Sequence, residues 1–145
     1  MRAVIQVVSS ASVRVENKII SEIKNGFLIL LAISNNDTED TITKMVNKIK
    51  GLRVFSDKNG KMNLNLEEVG GQLLVVSQFT LYADTTKGNR PSFTDSAKPI
   101  KAVPYYEKFI SLLKNNGLKV KTGQFGAMMS VSLVNEGPIT IIIDI

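Results

Sequence analysis

The sequence contains neither histidine nor cysteine. Their absence excludes a Ser-His-Asp triad, a Cys-His pair, a thiolate zinc site and any imidazole ligand. No side chain has an ordinary pKa near neutrality, so the commonest general base is missing. An enzyme built from this chain must work with hydroxyls, amides, backbone dipoles, carboxylates, lysines or a group on its own substrate. No metal and no other cofactor is expected. The missing cysteine fits a reducing compartment. Long apolar runs are lacking too: the longest falls far short of the ~20 residues that span a bilayer. The opening Met1-Arg2-Ala3-Val4 reads directly as a strand and lacks the shape of a signal peptide. The expectation is a cytoplasmic protein with no membrane partner.

What is present is ordinary for a folded domain. The 145 residues are 43% hydrophobic and 21% charged, and a chain of this length makes one domain, residues 1–145. It should bury roughly two-thirds of its unfolded surface without disulfides or metal. The net charge of +5 is local. From Lys87 to Lys121 there are eight bases and two acids, giving +6, while the remainder carries −1. A basic segment on a near-neutral body suits a polyanion such as nucleic acid. A solvated, lysine-rich helix and loop is the alternative.

Strand patterns dominate. Ala3–Val8 is rich in β-branched residues, and residues 12–16 and 18–23 read as a hairpin around Asn17. Phe27–Ile33 is apolar throughout, as a strand buried on both faces is, and Leu73–Phe79 reads as another buried strand. Asp37 is expected to cap a helix carrying Ile42, Met45, Val46 and Ile49, ended by Gly51. A short strand at Arg53–Phe55 precedes the turn Asp57-Lys58-Asn59-Gly60. Pro104 suits the first turn of a second helix with Tyr105, Phe109, Leu112 and Leu113 inside, ending near Asn116-Gly117. Two last strands, Ala127–Val134 and Ile139–Ile143, flank Asn135-Glu136-Gly137-Pro138. Residues 83–101 resist a regular assignment, and a loop of that length is usually functional. The fold class is mixed α/β, with seven or eight strands and two main helices.

Several segments are suited to chemistry. Ser77-Gln78-Phe79-Thr80 ends a buried strand and offers two hydroxyls, an amide and successive N–H groups that can hold an oxyanion. The same residues would also serve simply to cap the strand. Gly137-Pro138 between apolar strands belongs at a turn or an edge, and Gly–Pro accepts the cis peptide. Phe125-Gly126-Ala127-Met128-Met129 sets small residues beside large soft ones, either as a pocket wall or as core packing. Arg90, in the loop Lys87-Gly88-Asn89-Arg90-Pro91, is a candidate phosphate contact or a surface ion-pair residue.

Taken together and in order, the segments LRVFSDKNGKMNLNL, LLVVSQFTLYADTTKGNRPSF, TGQFGAMMSV and LVNEGPIT resemble the D-aminoacyl-tRNA deacylases along essentially the whole chain. The Ser77-Gln78-Phe79-Thr80-Leu81 and Asn135–Thr140 segments, about 60 residues apart, carry the resemblance. It implies a compact single-domain, three-layer β/β/α, barrel-like protomer that forms a homodimer with two sites at the interface. It implies hydrolysis of the ester joining a D-amino acid, or mischarged glycine, to the 3′-terminal ribose of tRNA. Ser77, Gln78 and Phe79 would line the adenosine and ester site. Thr80 would act as nucleophile, or the tRNA 2′-hydroxyl would supply the activation. With no histidine to activate Thr80, the second route is favoured. Gly137 and Pro138 would enter the partner's pocket and reject L-substrates by their backbone, supported by Asn135, Phe125, Ala127 and Met129. Lys87, Arg90 and Lys98 would contact tRNA. One departure stands out: Val7 occupies a position where the family pattern usually has arginine, associated with holding the Gly–Pro loop. Weaker rejection of L- or glycyl-tRNA is therefore expected. The competing reading is a non-catalytic RNA-binding module of the same fold.

Overall fold

The computed structural model describes residues 1–145. Its organising element is β1 (Arg2–Val15). One edge of β1 pairs antiparallel with β3 (Gly26–Ala32) through residues 2–8 and with β2 (Lys18–Ile23) through residues 11–15. The other edge pairs with β8 (Ser130–Asp144) over nearly its full length. β3 then pairs in parallel with β6 (Gln72–Ser77), and β6 with β7 (Lys119–Thr122). The sheet curls until β2 meets β7, where the Ser21 hydroxyl donates to the Thr122 carbonyl at 2.6 Å. β4 (Phe55–Ser56) and β5 (Met62–Leu64) form a separate small hairpin.

Both faces of β3 and β6 are buried, as their apolar runs require. Ala3, Ile5 and Val7 of β1, Phe27, Ile29 and Leu31 of β3, and Leu73 and Val75 of β6 face the two helices. α1 (Glu39–Lys50) contributes Ile42, Met45, Val46 and Ile49, and α2 (Pro99–Asn115) contributes Ala102, Tyr106, Phe109, Ile110 and Leu113. The opposite face is enclosed by the curl itself. Val8, Ala11, Val13, Ile23, Leu28, Leu74 and Val76 form that second core. The result is the three-layer, barrel-like β/β/α arrangement expected.

The element boundaries depart from expectation in instructive ways. The segments 3–8 and 12–16 form one strand, because β8 pairs continuously along their far edge. The two predicted C-terminal strands are likewise one. The cap of α1 is Thr38, in a reciprocal pair with Thr41. Asp37 is buried instead, accepting from the Ser34 amide at 2.8 Å and from the Met1 ammonium. α2 begins at Pro99, which places Pro104 inside the helix. Its buried stripe therefore includes Tyr106 and Ile110 fully, and Tyr105 and Leu112 only in part. β7 and β5 carry too little apolar sequence to be recognised in isolation.

At Gly26 a side chain is sterically excluded. It pairs with Val8 on one side and Gln72 on the other, at φ +156°, and a Cβ there would lie 1.9 Å from the Gln72 carbonyl oxygen. Backbone held in a ladder cannot retreat from such a contact. Gly26→Ala is expected to destabilise the fold by at least about 2 kcal/mol, measurable as a shift of the urea midpoint at unchanged slope.

Candidate active site

The end of β6 opens onto a cleft of about 320 Å³. Leu31 and Ser77 form the last pair of the parallel β3–β6 ladder, and the Gln78 amide donates to the Leu31 carbonyl at 2.8 Å. The chain then turns through a single 3-10 helix, Phe79–Tyr82, whose first bond runs from the Leu81 amide to the Gln78 carbonyl at 3.2 Å. The amides of Phe79 and Thr80 stand ahead of that first bonded donor, as the opening amides of any such turn do. Ser77, Gln78 and Phe79 line the cleft, and the Gln78 side-chain amide donates to the Thr80 hydroxyl. Thr80 does not itself line the cleft. It is held one contact away, by a residue that does.

The facing wall comes from the irregular segment before α2. The Ala97 amide donates to the Ile33 carbonyl at 2.9 Å, and the Asn35 amide to the Asp95 carbonyl at 3.1 Å. These bonds continue β3 outward and fix Phe93, Ser96, Ala97 and Pro99 against it. Two aromatic pairs frame the opening. Phe79, 56% exposed, meets Phe93 edge to face with centroids 5.1 Å apart. Phe125 meets Tyr106 edge to face at 5.7 Å, and the Tyr106 hydroxyl donates to the Val75 carbonyl at 2.8 Å. Burial pushes the Tyr106 phenol well above its ordinary pKa, so it stays a neutral hydrogen-bond donor. Phe93, Ser96 and Ala97 escaped the sequence reading. The signal was there, since Phe93 is the one phenylalanine in the irregular stretch.

No residue lining the cleft carries a titratable side chain. Its polar groups are hydroxyls, one side-chain amide and backbone. No cluster of three or more His, Cys, Asp or Glu residues assembles anywhere in the fold. Such a cleft can orient a bound ester and polarise its carbonyl, and it has no base of its own to transfer a proton.

The second segment lies elsewhere in the protomer. Between the Gln6–Thr140 and Val8–Asn135 pairs, Val7 alone faces Glu136, Gly137, Pro138 and Ile139, so these residues bulge from the ladder. The Gly137–Pro138 peptide is cis, with Gly137 at φ +108°. Both residues are exposed and neither lines the cleft. The Asn135 side chain closes the bulge by donating to the Val7 carbonyl at 2.9 Å and to the Ile139 carbonyl at 3.0 Å. The Val7 side chain points into the helix-facing core, 5% exposed. Of the neighbouring candidates, only Phe125 lines the cleft. Ala127 is half-buried in a turn, and Met129 packs on the barrel core. Lys87 and Arg90 are exposed on an excursion closed by paired Asp84–Ser92 bonds of 2.8 Å. Lys98 flanks α2 beside Pro99. Two other bases of the segment are engaged: Lys101 donates to the Asn35 carbonyl at 2.6 Å, and Lys108 pairs with Glu39 at 2.6 Å.

Comparison with known proteins first defines the class. A solved structure described as c-Myc DNA unwinding element binding protein superposes with a TM-score of 0.93 at 40% identity, covering 99% of this chain and 98% of the other. A probable eukaryotic D-amino acid tRNA deacylase shares the fold, with a TM-score of 0.87 at 17% identity over 99% of this chain and 98% of the other. Sequence then narrows the class. The family model described as D-Tyr-tRNA(Tyr) deacylase matches residues 4–144. The D-aminoacyl-tRNA deacylase of Dictyoglomus turgidum is 56% identical over 99% of this chain and 92% of its own. That of Thermosipho africanus is 53% identical over 99% and 97%. The chain belongs to the D-Tyr-tRNA(Tyr) deacylase family.

The Asn135 contacts give a direct test of what shapes the bulge. Asn135→Ala leaves two carbonyls without a donor and is expected to cost about 1–3 kcal/mol in urea denaturation. Amides at Gly137 and Ile139 should exchange faster with solvent in the variant. Unchanged stability and exchange would show that the bulge holds its shape without the asparagine.

Proposed function

We propose that this protein hydrolyses the ester of D-aminoacyl-tRNA, and of mischarged glycyl-tRNA, to free amino acid and tRNA. The observation that carries the reading is the cleft at the end of β6, built from Ser77, Gln78 and Phe79 and free of titratable side chains, in a chain of this family. An aminoacyl ester is already activated by its ammonium and by the vicinal 2′-hydroxyl. Water adds to the carbonyl carbon, the bond to the ribose 3′-oxygen breaks, and the proton reaches that oxygen with the 2′-hydroxyl as relay. The chain needs only to orient the ester and hold the developing oxyanion. We assign that task to Gln78 and to the amides of Phe79 and Thr80, which precede the first bonded donor of the turn.

Chiral rejection requires Gly137 and Pro138, which the single protomer does not bring to its own cleft. We assign them to the cleft of a second copy. The far edge of β8 is unpaired, and Leu133, Val134 and Ile142 are exposed along it. An unpaired strand with apolar side chains is a natural seam for a homodimer. Lys87, Arg90 and Lys98 would meet the phosphates of the acceptor end. No helix is long and apolar enough to cross a membrane; a reaction on tRNA, as proposed, belongs in the cytoplasm.

Deacylation of D-, L- and glycyl-tRNA in parallel tests the reading. D-substrates should be hydrolysed far faster than L-substrates. With Val7 where the family pattern has arginine, some L- or glycyl-tRNA turnover above that of arginine-bearing relatives is expected. Undiminished L-rejection would show that the Asn135 clasp suffices. Binding of tRNA with no hydrolysis of any substrate would favour the RNA-binding alternative, in line with the nucleic-acid-binding description of one structural neighbour.

The role of Thr80 is separable. Thr80→Val removes the hydroxyl accepting from Gln78 at nearly constant volume. Substrate-assisted hydrolysis predicts a loss of kcat of about tenfold or less, from a less well-held Gln78. Loss to the uncatalysed rate in a folded variant would make Thr80 the nucleophile.

A further inference from the structure

We propose that Arg2 is a positioning residue for the Phe79–Tyr82 turn, tying it to the β1–β8 ladder. This rests on the deacylase reading for its kinetic arm. Arg2 and Asp144 are register partners across β1 and β8, and the Arg2 Nε donates to the Asp144 carboxylate at 2.7 Å. The guanidinium also donates through Nη1 to the Leu81 carbonyl at 2.9 Å and lies over the Tyr82 ring, 5.2 Å from its centroid. One planar group thus holds a carboxylate on β8, a carbonyl inside the turn and the aromatic ring that ends it.

The geometry gives this contact a role beyond surface decoration. The turn is only four residues long, and the backbone bonds that join it to its flanks run from Leu81 to Gln78 at 3.2 Å and from Ala83 to Thr80 at 3.0 Å. None of its four residues is fully buried. A segment with so little core of its own takes its orientation from what grips it. Its near end is fixed by the Gln78–Leu31 bond, and Arg2 supplies a second grip three residues later. Between the two grips lie Phe79 and Thr80. Because Asp144 ends the strand that carries the Gly137–Pro138 bulge, the same guanidinium ties the turn to that strand. Arginine suits the task because its fork reaches several acceptors at fixed angles, which a lysine ammonium cannot match.

The pair itself is solvent-accessible, at 36% and 55% side-chain exposure. Exposed pairs add little to global stability, so losing Arg2 should loosen the turn and leave the fold intact. Arg2→Ala is expected to lower kcat for D-aminoacyl-tRNA about tenfold, in keeping with the sensitivity of rate to small displacements, with KM within about twofold. Arg2→Lys should recover part of that loss, and Asp144→Asn should show a smaller one. Hydrogen exchange at the Leu81 and Ala83 amides should accelerate in Arg2→Ala while the β1–β3 amides keep their protection. Unchanged kcat, or unchanged exchange at Leu81 and Ala83, would overturn the proposal. So would loss of protection throughout the sheet, which would make Arg2 a general stabiliser. Failure of the wild-type protein to hydrolyse D-aminoacyl-tRNA would instead remove the functional reading, with the exchange arm still deciding whether Arg2 anchors the turn.

Discussion

Strand β1 is paired on both edges, and its alternate residues Ala3, Ile5 and Val7 are buried against the helices; this double commitment fixes the rest of the molecule. Its pairing with β3 sets the parallel neighbour β6, whose C-terminal end is where Ser77 leaves the ladder. Its pairing with β8 sets where the Gly137–Pro138 bulge emerges. A register slip of one residue would exchange Ala3, Ile5 and Val7 for Arg2, Val4 and Gln6 on the helix-facing side, burying a charge and an amide in place of apolar groups. The apolar alternation of residues 1–8 is therefore what positions the two candidate segments, which are far apart in sequence. It also explains why the bulge falls opposite Val7. That side chain is committed to the core, so the bulge is closed through the Val7 carbonyl by a residue of β8 itself.

The cleft follows a consistent electrostatic logic. A carboxylate or ammonium in its lining would be costly to desolvate when a ligand closes over it. Hydroxyls, one amide and backbone N–H groups avoid that cost and still present fixed dipoles, which are most effective when water is excluded. The proton-transfer groups that the chain lacks are ones that an aminoacyl ester carries. The zero counts of histidine and cysteine are thus compatible with hydrolysis for one kind of substrate and poorly suited to an unactivated amide or ester.

Much of this was legible in the sequence, and the boundary of legibility has physical causes. Phe27–Ile33 and Leu73–Val76 announced two-faced burial because every position is apolar, and both are buried strands. Ser77 and Gln78 could be placed at a strand end because the apolar run stops there. The continuity of β1 and of β8 could not be read, since it depends on partners across the sheet and not on local pattern; Ser9, Ser10 and Asn135-Glu136 look like turns in isolation. α2 starts five residues before Pro104; Pro99 and Pro104 both qualify as a first-turn proline, and only burial of Ala102 decides between them. The charge count of the basic segment has a related blind spot. A charge count cannot see that Lys101 and Lys108 are occupied by partners on distant elements.

The separation of the two segments within one chain also bears on how selectivity can arise. A wall made of side chains recognises shape and must be re-formed for every amino acid it meets. A wall made of backbone is indifferent to what lies beyond the α-carbon and discriminates by which substituent points at it. Backbone can serve in this way only if it is held, and a bulge of four residues opposite one has little ladder bonding to hold it. In this chain the holding is done by one asparagine whose amide spans the neck of the bulge, from Val7 to Ile139. Rigidity at the tip is therefore a property of the neck. Under the proposed reading, selectivity depends on how the neck is fastened as well as on Gly137 and Pro138 at the tip.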